Sequence, residues 1–144
     1  MDATPVAPIR LVLQTRVAPD VAWSYLTDPD RVEEWFTSAS PVGAVGDPYV
    51  LDFGEGSVVH GAIVEVEPGR RFAHRWAWLD AEPLQETLVT WSVRPLEAGG
   101  SEIELLHDGW DEAGADSASR DDHEGYWSGY LDDLRDLLED AATS

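Results

Sequence analysis

Histidine is the side chain in this sequence best suited to proton transfer or metal binding near neutral pH. The four histidines are His60, His74, His107 and His123. They lie too far apart for a short metal motif, and no His-Glu-x-x-His pattern occurs, so a metal site is not expected. If the predicted strand faces that carry three of these histidines converge, a mixed His/Asp metal site is the alternative. The commoner role is a hydrogen-bonded polar anchor inside an apolar interior.

Two of these histidines are candidates for acid-base chemistry. His107 is followed by Asp108 at the end of a predicted strand, and His123 opens a predicted long helix. This topology favours a position near one mouth of a cavity, where His107, His123 or Asp108 could move protons. The alternative for His123 is that it caps or packs the start of the helix.

Other catalytic signatures are not supported. The chain has no cysteine, which excludes thiolate nucleophiles, disulfides and sulfur-ligated zinc. Ser119, Asp122 and His123 are close in sequence, but no Gly-x-Ser-x-Gly elbow occurs, so a hydrolase triad is set aside. No Gly-x-Gly-x-x-Gly pattern opens a helix after a strand, so neither a nucleotide site nor a cofactor is expected.

Aromatic residues follow the periodicity of the predicted elements. Alternate residues of one predicted strand place bulky rings on a single face, and the next strand and the last helix add more. If these faces converge, they line an apolar chamber with a few polar groups; the alternative is a tightly filled aromatic core. The predicted ligand-binding residues are His74, Trp76, Trp78, Trp91, His107, Trp127 and Tyr130.

The elements that must position these residues can be predicted from hydrophobic periodicity and turn chemistry. Period-2 alternation predicts a first strand over residues 9–17, and two short helices are predicted to follow it. A meander of five antiparallel strands comes next, separated by Gly and Pro turns. The predicted helices cover 21–27, 31–37 and about 123–140, and the five later strands cover 49–53, 58–67, 71–79, 84–93 and 101–108.

This order of elements predicts an α+β domain in which a curved six-stranded antiparallel sheet wraps around the long C-terminal helix. The 144 residues are expected to form one domain, 1–144, with its core at about 8–141. A curved sheet around one helix is hard to fill along its whole length, so a cavity between them is expected.

Charge limits the partners that this chain is expected to bind. Nine Arg and no Lys face 29 acidic residues, which gives a net charge of −20 and a pI near 4.1. Nucleic acid and anionic membranes are therefore poor partners. The N-terminus lacks the pattern of a secretory signal, and no long apolar run occurs, so a cytoplasmic location without membrane insertion is expected.

The chain resembles the SRPBCC or START-like (helix-grip) superfamily, and within it the homologues of the activator of the 90-kDa heat-shock protein's ATPase. The resemblance rests on four stretches that together span nearly the whole chain. They are VAWSYLTDP at 21–29 running into EWF at 34–36, GAIVEVEPGRRF at 61–72 with RW at 75–76, VTWSV at 89–93 leading to LLHDGW at 105–110, and HEGYWSGYL at 123–131.

The resemblance implies a helix-grip fold with an internal hydrophobic cavity. We therefore expect a protein that binds a small apolar molecule, lipid-like or polyketide-like. One alternative is a polyketide cyclase or dehydratase that uses His and Asp groups in the same cavity. A further alternative is a module that contacts a chaperone, as the family name implies. Neither the ligand nor the oligomeric state, monomer or homodimer, follows from the sequence.

Overall fold

The computed structural model describes residues 5–143, which form three helices and a seven-stranded sheet. Residues 1–4, which carry most of the N-terminal pattern considered above, lie outside the described part. The strands are β1 (Ile9–Thr15), β2 (Ser38–Ala39), β3 (Pro48–Asp52), β4 (Val58–Glu67), β5 (Arg71–Trp78), β6 (Thr87–Pro95) and β7 (Ser101–Asp108). The helices are α1 (Pro19–Thr27), α2 (Pro29–Trp35) and α3 (Ser117–Thr143).

The sheet is antiparallel throughout, in the order β1-β7-β6-β5-β4-β3-β2. The four strands from β4 to β7 form consecutive hairpins, and β1 closes one edge by pairing with β7. Strict alternation of burial along β6 and β7 leaves one face of each strand to the core. The predicted α+β helix-grip fold, a curled sheet against a long C-terminal helix, is confirmed.

The sheet has one strand more than predicted. The additional strand is β2, which pairs with β3 through Ser38 opposite Asp52 and Ala39 opposite Leu51. The Ser40 hydroxyl extends this edge by accepting a hydrogen bond from the Val50 amide at 2.8 Å. A two-residue strand is too short for alternation to be visible, so periodicity could not have predicted it.

All three helices begin earlier than predicted, α1 at Pro19 rather than at residue 21, and two of them begin at an N-capping carboxylate. Asp116 accepts a hydrogen bond from the Ser119 amide at 2.9 Å, so α3 begins at Ser117 rather than near residue 123. Asp28 accepts from the Asp30 amide in the same way, and α2 begins at Pro29 rather than at residue 31. Each cap supplies an acceptor for backbone N–H groups that have no partner within the helix.

The long helix buries one stripe of large side chains against the rest of the fold. Trp127, Leu131, Leu134 and Leu138 are buried at spacings of three and four residues, and each is at most 5% exposed. Arg120 fixes the N-terminal half of α3 by donating to the carbonyls of Ala7 and Pro8. These contacts hold the aromatic face of α3 over the inner face of the sheet.

Gly61 in β4 permits close approach of the neighbouring strand. A Cβ at this position would lie 2.0 Å from the backbone oxygen of Arg75 in β5. We expect Gly61→Ala to lower the free energy of unfolding by about 2 kcal/mol, since overpacking against backbone forces the strands apart. Urea denaturation measures this loss.

Gly125 provides the matched control for Gly61→Ala. This residue is exposed on α3, and a Cβ there would meet nothing within 4 Å. Gly125→Ala should therefore raise the free energy of unfolding by about 1 kcal/mol, because alanine is the better helix former. Equal effects of the two substitutions would contradict the close approach at Gly61.

Candidate functional site

A cavity of about 350 Å³ lies between α3, the end of α2, the β3–β4 hairpin and β5. Three of its lining residues, Gly54, Glu55 and Tyr126, are exposed, and Tyr126 is 69% exposed, so the cavity is open to solvent on that side. The lining residues are Phe36, Phe53, Gly54, Glu55, Ser57, Trp76, Trp78, His123, Tyr126, Trp127 and Tyr130.

Phe36, the residue after α2, joins the walls of the cavity. Its ring lies 5.1 Å from that of Trp127 and 4.8 Å from that of Tyr130, both on α3. Across the cavity it meets Phe53 at 5.4 Å, and Phe53 in turn lies 5.2 Å from Trp78. Edge-to-face and tilted pairs of this kind are favourable arrangements of aromatic rings. The wall is therefore a continuous set of ring contacts.

His107 lies beneath the cavity, in the core, and both of its ring nitrogens have partners. The Trp127 indole nitrogen donates to His107 Nδ1 at 2.9 Å. Because an indole N–H can only donate, Nδ1 is the unprotonated nitrogen, and Nε2–H donates to Thr87 Oγ1 at 2.7 Å. The Thr87 hydroxyl in turn donates a hydrogen bond to the carbonyl oxygen of Trp76 at 3.3 Å.

The surroundings of His107 favour its neutral form. Burial lowers the pKa of His107 well below its usual range, and the neighbouring His123 and His74 lower it further. In the neutral form with the proton on Nε2, both nitrogens are satisfied. His107 therefore links β7, β6 and α3 as a structural hydrogen-bonding group.

His123 lies on the wall of the cavity, also with both nitrogens engaged. Trp78 donates its indole N–H to His123 Nε2 at 3.0 Å, so the ring proton is on Nδ1, which donates to the Ser119 carbonyl at 2.7 Å. Burial lowers the pKa of His123, while the Ser119 hydrogen bond and the charge of Asp122 oppose this shift. His123 thereby orients the Trp78 ring in the wall.

His74 is buried on β5 at 1% exposure. Its Nδ1–H donates to the Arg75 carbonyl at 2.9 Å, and its ring lies 4.5 Å from that of Tyr49. Burial lowers the pKa of His74 to about 4, although the hydrogen bond to Arg75 partly offsets this effect. Burial also raises the pKa of Tyr49. Both groups are therefore neutral at pH 7.

The structure divides the predicted ligand-binding residues into two groups. Four of them line the cavity: Trp76, Trp78, Trp127 and Tyr130. The other three, His74, Trp91 and His107, are buried in the core and are not among the lining residues. Trp91, for example, packs edge-on against Trp35 at 5.8 Å and Trp127 at 5.7 Å.

The candidates for proton transfer are also separated. His107 and His123 lie near each other, with ring centroids 5.5 Å apart, but only His123 reaches the cavity. Asp108 is exposed at the end of β7, where its carboxylate accepts from the Gly109 amide at 2.7 Å. The structure therefore does not bring His107, His123 and Asp108 together on the cavity wall.

Several wall residues were not predicted from the sequence. Phe36 was predicted only to lie within the short helix over 31–37, and Phe53 only to end the strand over 49–53. Each has the aromatic character of the predicted wall, which was the available signal. The contacts of these two residues with α3 depend on how the β3–β4 hairpin packs against the helix. Hydrophobic periodicity within one element carries no information about that packing.

Two further features concern residues 5–143 as a whole, namely clusters of potential metal ligands and long apolar helices. No group of three or more His, Cys, Asp or Glu side chains in this part of the chain is arranged to hold a metal ion. No helix among the same residues is long and apolar enough to cross a membrane.

Comparison with solved structures identifies similar folds at low sequence identity. DynU16, from the dynemicin biosynthetic locus, superposes with a TM-score of 0.81 at 24% identity over 93% of this chain, which spans 48% of the DynU16 chain. MLL2253 from Mesorhizobium loti has a TM-score of 0.81 at 21% identity, with 92% of this chain and 96% of that one covered. The Aha1 dimer from Colwellia psychrerythraea has a TM-score of 0.75 at 19% identity, with the same coverage.

Sequence comparison gives the family directly. No protein with a curated description matches the chain. The sequence model of one family, described as Activator of Hsp90 ATPase homolog 1-like protein, matches residues 16–139. This range includes α1, α2, the strands β2 to β7 and all but the last four residues of α3, while β1 precedes it. The chain therefore belongs to the family of activator of Hsp90 ATPase homolog 1-like proteins.

Proposed function

We propose that this protein binds a small apolar molecule in the cavity between α3 and the β3–β4 hairpin. The observation that carries the proposal is the composition of the wall, in which seven of the eleven lining residues are Phe, Trp or Tyr. Ligand sites are typically concave, mostly apolar and about 300–1,000 Å³ in volume. A cavity of about 350 Å³ is at the small end of this range and suits a flat molecule of a few fused rings.

Electrostatics favour a ligand without negative charge. Glu55 is the one acidic residue among those that line the cavity, and the whole chain carries a net charge of −20. An anionic ligand would enter against this field, whereas a neutral one would not. The proposal is therefore a neutral, largely aromatic ligand rather than a fatty acid or a phosphate ester.

The hydrogen bonding of the histidines supports binding over acid-base catalysis. A general base needs a nitrogen free to reach the substrate proton. His123, the histidine on the wall, uses one nitrogen on Trp78 and the other on Ser119. The cyclase alternative and the chaperone-contact alternative stay as predictions from the resemblance, without a contact in the cavity that favours either.

Substitution of Trp78 tests the location of the site. Trp78 lines the cavity and is half-buried. We expect Trp78→Ala to weaken binding of fluorene, a neutral three-ring hydrocarbon, by at least about tenfold, because a wall ring and its stacking contacts are lost. Binding is followed by NMR through the indole N–H signals of the protein.

Trp23 provides the matched control. It is also a half-buried tryptophan, but it packs edge-on against Phe72 at 5.7 Å and does not line the cavity. Trp23→Ala should leave the affinity for fluorene unchanged. If the two variants weaken binding equally, or if fluorene does not bind to the wild-type protein, the proposed site is wrong. Native mass spectrometry of the purified protein would show any ligand that copurifies.

A further inference from the structure

The indole nitrogen of Trp76 has no protein partner. Within residues 5–143 it is the one buried side-chain nitrogen or oxygen without a hydrogen-bond partner, and Trp76 is only 4% exposed. Other indole nitrogens in the same region are satisfied, since Trp35 donates to the Tyr25 carbonyl, Trp110 to the His107 carbonyl and Trp127 to His107 Nδ1. A buried donor without an acceptor costs free energy, so its position needs an explanation.

Trp76 borders two adjoining spaces. One is the aromatic cavity of about 350 Å³, and the other is a small pocket of about 30 Å³. Trp78 and His123 also line both spaces, and the small pocket adds polar side chains from Gln85, Thr87 and Ser119. A volume of about 30 Å³ can hold a single carbonyl group or one water molecule.

We propose that the ligand carries a neutral hydrogen-bond acceptor, such as a ketone or quinone oxygen, that accepts from Trp76 Nε1–H. This inference rests on the proposed function and narrows it to a neutral aromatic carbonyl compound whose rings occupy the cavity. A pure hydrocarbon offers no acceptor, so the Trp76 donor would stay unpaired unless a water molecule occupied the small pocket. A carboxylate could also accept, but it would be repelled by Glu55 and by the acidic surface.

Three probes of nearly the same shape represent the three classes of ligand. Fluorene is the pure hydrocarbon, 9-fluorenone the neutral carbonyl compound and 9-fluorenone-2-carboxylate the anion. We expect 9-fluorenone to bind about three- to tenfold more tightly than fluorene, the effect of one buried hydrogen bond. In a purely apolar cavity the order would be reversed, because the ketone is the more polar molecule. The carboxylate should bind more weakly than 9-fluorenone, and the difference should shrink as salt is added.

Trp76→Phe removes the N–H group and keeps an aromatic ring. In this variant, 9-fluorenone should lose its three- to tenfold advantage over fluorene, because the smaller ring weakens the binding of both probes alike whereas only the ketone loses a hydrogen bond. Because the substitution also reduces volume in the core, a second measurement uses the wild-type protein. The Trp76 indole N–H signal, assigned from its loss in a Trp76→Phe spectrum or by sequential NMR, should shift downfield with 9-fluorenone and not with fluorene.

The possible failures are distinguishable. If fluorene and 9-fluorenone bind equally well, or if the Trp76 signal does not respond to the ketone, the donor is paired with water and the inference is overturned while the binding proposal stands. If neither probe binds, the proposed function fails and the inference fails with it.

Discussion

Acidification from pH 7 to pH 5 is expected to lower the free energy of unfolding by about 2 kcal/mol through the titration of His74 alone. The cause is the burial of this imidazole at 1% exposure, which lowers its pKa to about 4. Above the ordinary histidine pKa of about 6.5, the folded and unfolded chains are both neutral at this site, and His74 makes no difference to stability.

The direction of the effect follows from proton binding. As the pH falls below about 6.5, the unfolded chain takes up a proton that folded His74 does not, so the unfolded state is favoured. The stability is lost progressively at about 1.4 kcal/mol per pH unit until the folded pKa near 4 is reached, a total of about 3 kcal/mol. The lowered pKa values of His107 and His123 act in the same direction.

A comparison between variants isolates this effect from the carboxylates. The chain has 29 acidic residues that also titrate on acidification, and relief of their mutual repulsion acts in the opposite direction. We therefore compare wild type with His74→Gln by urea denaturation at pH 7, 6 and 5. The stability advantage of the wild-type protein should fall by about 2 kcal/mol over this range, because glutamine does not titrate.

His60→Gln is the matched control for this measurement. His60 is exposed on β4, so His60→Gln removes one histidine without changing the buried core, and a fall in the wild-type advantage as large as that seen against His74→Gln would contradict the attribution to burial. If His74→Gln and wild type keep a constant difference from pH 7 to pH 5, then His74 titrates alike in both states and its assignment as a buried neutral group is wrong.

Local periodicity was sufficient to predict four of the residues that line the cavity. The alternation along β5 placed Trp76 and Trp78 on the wall, and the helical spacing on α3 placed Trp127 and Tyr130 opposite them. Both patterns follow from a single element facing the core. The predicted family and helix-grip fold are also confirmed. A match over residues 16–139 depends on the order of these elements along the chain, which the sequence shows directly.

The division between wall and core could not be predicted in the same way. His74 alternates in register with Trp76 on β5, yet it is covered by Tyr49 from β3 and is not a lining residue. Likewise, His107 accepts a hydrogen bond from Trp127 on α3, which lies 20 residues away along the chain. Such pairings depend on how α3 and the β3–β4 hairpin meet the sheet, and periodicity within one strand carries no information about that.

Loss of the His107 side chain is expected to have the largest effect on stability of any substitution considered. His107→Ala should lower the free energy of unfolding by about 4 kcal/mol, which combines a core cavity with an unpaired Trp127 indole N–H. A domain of this size is typically stable by only about 5–15 kcal/mol, so the variant should unfold at much lower urea concentration. Equilibrium urea denaturation followed by tryptophan fluorescence measures the difference.

The conservative variant His107→Asn shows whether the hydrogen bond to Trp127 contributes to that loss. Its amide oxygen can replace Nδ1 as the acceptor for Trp127, although it cannot reach Thr87, so about 1–2 kcal/mol of stability should be recovered relative to His107→Ala. Thr87→Val, which removes the other partner of the ring, should cost about 1–2 kcal/mol, and its effect should largely vanish in the His107→Ala background. If Asn is no better than Ala and the Thr87 effect is additive, then His107 stabilises the protein by packing alone. Recovery by Asn together with non-additivity would instead establish the Trp127–His107–Thr87 chain as the link that holds α3 and its aromatic wall against the sheet.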